Sequence, residues 1–277
     1  MVTGIRTQTS EGTQVKTIKT TLGLFAVSFL LAQLPSAATE ATKSHGDCDR
    51  LPSFAALRSA LTMARNQANG GFGLNMWATV VNRDGVVCAV AFTGGDRGAQ
   101  WPGSRVISAQ KANTANAFSL PALALSTANL YSAVQPGGSL FGLQHSNPVD
   151  TEVAYAGPAS SFGTDDDPMV GRRIGGVNVF GGGLALYNSY GMLVGAIGVS
   201  GDSSCADHNI AWRTRNFLKL DHVPTGVSGD ASRPDNIVYD ITPQPGQQEG
   251  VSLNGWGHPA CSSAATAIAG TLPVAGS

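Results

Sequence analysis

Apolar positions recur at two spacings along the chain, and the alternation between them sets the order of elements. Residues 47–69 carry Phe54, Leu57, Leu61 and Ala64 at helical intervals, with Ser53 placed to cap the N-terminus and Asn69-Gly70-Gly71 to stop the helix. Residues 76–81 and 86–92 are apolar runs of strand length around Asn82-Arg83-Asp84-Gly85, whose Asp-Gly pair is a hairpin turn signal. The second run is apolar on both faces, so it is expected between two layers, with helices on one side and a second subunit as a candidate for the other. Helical spacing returns at 106–118, opened by Ser104 or Ser108. The narrow small-residue stripe Val106, Ala109, Ala112, Ala115 invites a very close neighbour. A short helix is expected over 121–130.

Residues 135–173 lose periodicity and fill with Gly, Pro, Ser and Asp, a length of loop that is commonly functional or partner-binding. Periodicity resumes in two strands, 184–187 and 193–199, about a turn at Asn188, Ser189 and Gly191. The triple glycine Gly181-Gly182-Gly183 precedes them, where the backbone bends sharply or something approaches closely. Gly198-Val-Ser-Gly-Asp202 then turns into a helix starting near Ser203 or Ser204 and covering 206–218, with Trp212 and Phe217 inward and Arg213, Arg215 and Lys219 outward. The remainder, 220–277, offers a strand at 237–241, too few apolar residues for its own core, and therefore a wrap over the rest. The order predicts an α+β sandwich: an antiparallel sheet of four or five strands with helices packed on one face.

Composition narrows the setting. Of 277 residues only 13% are charged, 35 are glycine, and the formal net charge is −1. That balance argues against a nucleic-acid or anionic-membrane partner. Arg6, Lys16 and Lys19 precede an apolar run, 22–34, and the small residues Pro35-Ser36-Ala37-Ala38, so 1–38 reads as a secretory signal peptide and the mature chain as secreted or periplasmic, with no further membrane span. Cys48, Cys88, Cys205 and Cys261 remain. An even count in an exported chain implies disulfides, and Cys205–Cys261 is the expected pair, tying the tail to the last helix. A reactive thiolate at Cys205 is the competing reading. Without Cys-x-x-Cys spacing, a zinc ribbon or covalent c-type haem is not indicated.

Chemistry-bearing motifs are few. Ser200 in Gly198-Val-Ser-Gly201 lacks nucleophile-elbow spacing, and no phosphate-binding loop or zinc-protease helix occurs, so no catalytic residue is assigned. The run Asp165-Asp166-Asp167 has the oxygen donors of a hard-cation site, but is read as a solvated loop, and no metal site is assigned. Lys111 sits among small neutral neighbours, either as a snorkelling charge or as a cation for an anionic ligand such as a carboxylate.

The wording of the central stretch is more telling. Phe180-Gly-Gly-Gly-Leu184 followed by Gly191-Met-Leu-Val-Gly-Ala-Ile-Gly-Val-Ser-Gly-Asp202 resembles the haem-binding, haem-degrading small-domain family that includes HbpS-type extracellular haem binders, GlcG proteins and the C-terminal domain of PduO-type adenosyltransferases. Residues 77–85, 108–115 and Asp207 with Ile210-Ala211 match further, so the resemblance spans about 51 to 218 and departs at an insertion, 133–172, and at the tail. It implies a profilin-like sandwich over 39–219, homo-oligomers, and haem binding, with capture, sensing or slow degradation in some relatives. Lys111, Thr114 and Gly181 to Gly183 lie on its motifs, and it provides no iron ligand. Haem takes an axial His, Tyr, Met or Cys and cations for its propionates. Of His45, His145, His208, His222 and His258, His208 has the most suggestive setting, beside Asp207 and Cys205. Its plain alternative is a surface polar group at a helix end, as Arg172 and Arg173 are either propionate partners or solvated. Two other classes stay open: a small-molecule oxidoreductase using the Gly181–Gly183 groove, and a ligand-free structural oligomer.

Overall fold

The computed structural model describes residues 48–242, 245 and 250–277; the expected signal peptide, 1–38, and His45 lie outside the described residues. Chain order is helix α1 (Phe54–Arg65), strands β1 (Trp77–Asn82) and β2 (Val87–Phe92), helix α2 (Ser104–Phe118), and single-turn helices α3 (Tyr131–Val134), α4 (Leu143–Ser146) and α5 (Thr151–Ala154). There follow β3 (Gly183–Tyr187), β4 (Leu193–Ser200), α6 (Ser204–Phe217), the two-residue strands β5 (Ile241–Thr242) and β6 (Val251–Ser252), and α7 (Ser263–Ala269). Both expected hairpins form. Gly85 takes φ +75° at the first turn and Gly191 φ +71° at the second, where a side chain would be strained. Ser53 and Ser203 cap α1 and α6 by accepting from Ala56 N and Ala206 N.

The main sheet has four antiparallel strands in the order β2-β1-β4-β3. The two hairpins thus meet through their inner strands, Trp77 opposite Ser200 and Asn82 opposite Gly195. This is the expected mixed helix-and-sheet class with a four-stranded antiparallel sheet. One expectation is corrected: helices cover both faces, not one. Leu57 and Leu61 of α1 with Ile210 and Trp212 of α6 pack on the face made by Ala78, Val80, Leu184, Ile197 and Val199. The small-residue stripe of α2 packs on the opposite face, against Trp77, Val81, Val90 and Ala196. The two-sided apolar character of β2 is therefore met within one chain, without a second subunit. A register shift sets Val81 opposite Val87 and Val80 opposite Ala89, leaving Cys88 off the ladder, and Cys88 is the residue bonded to Cys48.

The approach of α2 is as close as its stripe predicts. A Cβ at Gly198 would stand 1.9 Å from Ser108 O, so bare backbone lies against bare backbone there. The insertion is more ordered than its composition suggests. Its Val153, Ala154 and Met169 join the α2 core, and the buried Arg105 guanidinium pairs with Asp167 and donates to Ala154 O at 2.7 Å. Asp167 is thus a structural anion rather than a solvated loop residue.

In the tail, the strand expected at 237–241 is only Ile241–Thr242, and 237–240 run irregularly. Arg215 is also corrected, since it points inward, fully buried, and grips Asp235 through two hydrogen bonds of 2.6 and 2.8 Å. Trp212 donates to Pro273 O at 2.9 Å, and the expected Cys205–Cys261 disulfide closes the same seam. No helix among the described residues is long and apolar enough to cross a membrane.

Candidate functional site

Lys111 leaves α2 through a gap made by glycine. A Cβ at Gly198 would touch Lys111 Cβ at 2.9 Å, and one at Gly182, which holds φ +112°, would stand 3.3 Å from Lys111 Nζ and 2.4 Å from Val199 O. Through that gap Nζ donates to Asp207 Oδ2 at 2.7 Å and to Val199 O at 3.0 Å. Both side chains are buried. Burial lowers the Lys111 pKa and raises that of Asp207 to about 7, while each charge partly restrains the shift of the other. Asp207 Oδ1 also accepts from Asp202 N at 2.8 Å, which fixes the turn into α6. The charge of Lys111 is thus answered inside the protein, and it is not a snorkelling surface lysine.

The other motif residues lie around this pair. A Cβ at Gly181 would meet Ser204 O at 2.4 Å, and one at Gly183 would meet Thr127 Cγ2 at 2.3 Å, so the triple glycine is filled by the chain's own atoms. Thr114 donates to Gln110 O and accepts from Asn178 N, holding the strand entrance against α2. His208 is fully buried, not at the surface. Its Nε2 accepts from Ile237 N at 3.1 Å, Nδ1 has no partner among the described residues, and burial lowers its pKa to about 3. The structure thus brings Lys111 and Gly182 together with Asp207, and directs Thr114 and His208 into other packing.

Two concavities flank the loop between β2 and α2. The first, about 360 Å³, is walled by Trp101, Ile107 and Phe180 and reaches Lys111, Asp202, Ser204 and Asp207. Among the described residues its lining holds a cation and apolar walls, but no His, Tyr, Met or Cys. The second, about 320 Å³, is lined by Trp77, Asp96, Arg97, Pro102, Arg105, Val106, Tyr155 and Phe162. There Trp77 stacks on Phe92 at 4.4 Å, and the Arg105 guanidinium lies 3.7 Å from the Phe162 ring centroid. Tyr155 is 59% exposed, Arg97 is exposed, and the buried indole N–H of Trp77 lacks a partner among the described residues. Sequence reading missed this pocket because Tyr155 and Phe162 sit in the aperiodic insertion. Asp96, Arg97 and Pro102 reach it from the loop between β2 and α2, which carries no periodic signal either. No group of three or more His, Cys, Asp or Glu able to hold a metal ion occurs among the described residues.

No curated protein matches the chain. Among solved structures, a crystal structure of a PduOC–haem complex is 23% identical with TM-score 0.42, the match covering 60% of this chain and 91% of that one. A crystal structure of the Klebsiella pneumoniae protein ORFY is 24% identical with TM-score 0.41, covering 60% of this chain and 90% of that one. The family model described as "Haem degrading protein HbpS-like" matches residues 53–215, from the first residue before α1 to the buried arginine of α6. Both hairpins, α1, α2 and all but the last two residues of α6 fall inside that match, and the chain belongs to the HbpS-like haem-degrading protein family.

Proposed function

We propose that this is an exported haem-binding protein that captures haem in the cavity containing Tyr155. The observation that carries the reading is family membership, matched over residues 53–215. Export is supported by two disulfides, Cys48–Cys88 and Cys205–Cys261, which persist in oxidising compartments. The residues of the Tyr155 cavity fit haem better than those beside Lys111. Tyr155 is an oxygen donor of a type that ligates haem iron, and Arg97 is an exposed cation for a propionate. Trp77 and Phe162 provide flat apolar walls. The Lys111 cavity has no axial donor, and its cation is already paired with Asp207. When bound, haem would supply the iron and the redox chemistry; the chain's own residues hold the macrocycle and limit its exposure to water.

A haemin titration of the full chain, followed through the Soret band, tests this. Wild type is expected to give a saturable, shifted band. Tyr155→Phe is expected to alter the band and weaken binding at least tenfold, whereas Lys111→Met leaves both unchanged. The reverse pattern would move the haem to the Lys111 cavity, and a spectrum identical to free haemin would overturn haem binding.

A further inference from the structure

The wall of the Lys111 cavity holds a nucleophile, backed by a base outside the lining, that the haem reading does not use. Ser204, the first residue of α6, is half-buried and lines the cavity, and its Oγ lies 2.8 Å from Nε2 of His258. His258 is buried, and its Nδ1 lies 2.7 Å from Pro259 O. A carbonyl oxygen only accepts, so Nδ1 carries the proton and Nε2 presents a lone pair to the serine hydroxyl. Gly181 N donates to the same Oγ at 2.7 Å, which leaves Ser204 one direction for its own hydrogen, toward His258. Serine, imidazole and an orienting acceptor in hydrogen-bonded series form the general plan of an activated hydroxyl nucleophile.

We propose that Ser204 and His258 form an acyl-transfer dyad acting on esters of small apolar carboxylic acids. Trp101, Ile107 and Phe180 form the apolar wall against which the acyl group packs. Lys111 lines the same cavity and spends two of its three N–H donors on Asp207 and Val199, which leaves the third for an oxyanion that develops there. As the Oγ–carbon bond forms, the Ser204 proton passes to His258 Nε2. The ester C–O bond then breaks, and the departing alkoxide takes that proton from Nε2. Water attacks the acyl-serine next, giving its proton through Nε2 back to Ser204 Oγ as the free acid leaves. Nothing beyond ester and water is consumed. His258 comes from the tail and Ser204 from α6, so the dyad exists only while the tail is seated, and Cys205–Cys261 fixes it within a few residues of both. Burial holds the His258 pKa down at about 4, which keeps its base form populated across the neutral and mildly acid range.

The test uses the full chain without added haemin. It is incubated with p-nitrophenyl butyrate and, separately, with an alkyl fluorophosphonate, and the adducts are located by peptide mass mapping. The expected result is one phosphonyl adduct on Ser204 and ester turnover that falls at least a hundredfold, to background, in Ser204→Ala. His258→Gln is expected to slow labelling at least tenfold while Ser204 remains present. Labelling should stay constant from pH 8 to pH 5, whereas a solvent-exposed histidine base would lose rate below about pH 6.5. If either variant fails to fold, the wild-type adduct map and pH profile decide. Absence of an adduct on Ser204, or ester turnover equal to wild type in a folded Ser204→Ala, would overturn the dyad and leave Ser204–His258 as an anchor for the tail.

Discussion

Lys111 and Asp207 are 96 positions apart and meet at 2.7 Å with both side chains buried. Their removal is not symmetrical. Burial has already pushed the Asp207 carboxyl up to about 7, so an Asp207 that loses its lysine takes a proton near neutral pH and becomes tolerable. A Lys111 that loses Asp207 stays a buried cation at the same pH or must shed its proton far below its ordinary value. Asp207→Asn is therefore expected to destabilise the fold by about 3 kcal/mol. Lys111→Met should cost clearly less, and urea unfolding of the two variants at pH 7 compares them directly. Equal losses would show that the pair's worth lies in packing rather than charge. Only half of this arrangement was legible beforehand. Lys111 stood out because its helix is otherwise small and neutral, but no spacing rule points from it to Asp207. Arg215 shows the same gap more sharply. Its helical position reads as outward, and what turns it inward is Asp235 in an irregular segment. Tertiary ion pairs leave no periodic trace.

At the scale of elements, the sheet and its three long helices follow from local signals that agree with one another. Two turns demand glycine at Gly85 and Gly191, two serines cap helices, and apolar spacing switches between strand and helix period where the elements change. The side on which each helix packs did not follow, because a strand apolar on both faces says only that two layers exist. The insertion stayed opaque for a different reason. Its helices are single turns, too short to show a period, and they are held by Arg105, Asp167 and buried apolar contacts. Glycine gives a direct test of what the close packing contributes. Gly198 has α2 backbone within 1.9 Å of where a Cβ would be, whereas Gly191 has no atom within 4 Å and only its positive φ to protect. Gly198→Ala is expected to cost about 3 kcal/mol by forcing α2 off β4. Gly191→Ala should cost about 1 kcal/mol, from backbone strain alone. Thermal unfolding of the pair separates the two effects, and a Gly198→Ala protein as stable as Gly191→Ala would show that α2 can shift freely over the sheet.

For the whole molecule, the contacts that join the tail to the sandwich include the Cys205–Cys261 disulfide, the Arg215–Asp235 pair and two buried histidines, and the histidines make stability depend on pH. Closing the 40- and 56-residue separations of the two disulfides contributes about 4 kcal/mol each by the chain-entropy argument, at every pH of interest. His208 and His258 behave differently. Burial lowers their folded pKa values to about 3 and about 4, below the unfolded value of 6.5, so between pH 6.5 and about 4.5 the unfolded chain binds two protons that the folded chain refuses. Stability contributed by these neutral rings is complete above pH 6.5 and is lost as pH falls through that window. Asp207 works in the opposite sense: its folded pKa near 7 exceeds the unfolded 3.8, so over the same window the folded chain holds one proton that the unfolded chain lacks. The net is one proton, worth about 1.4 kcal/mol per pH unit, and the chain should lose about 2 to 3 kcal/mol between pH 6.5 and pH 4.5. Urea titrations at those two pH values measure the loss. Asp207→Asn should steepen it by removing the opposing proton, whereas a flat profile in wild type and variant alike would mean that the histidines take up protons without the tail coming loose.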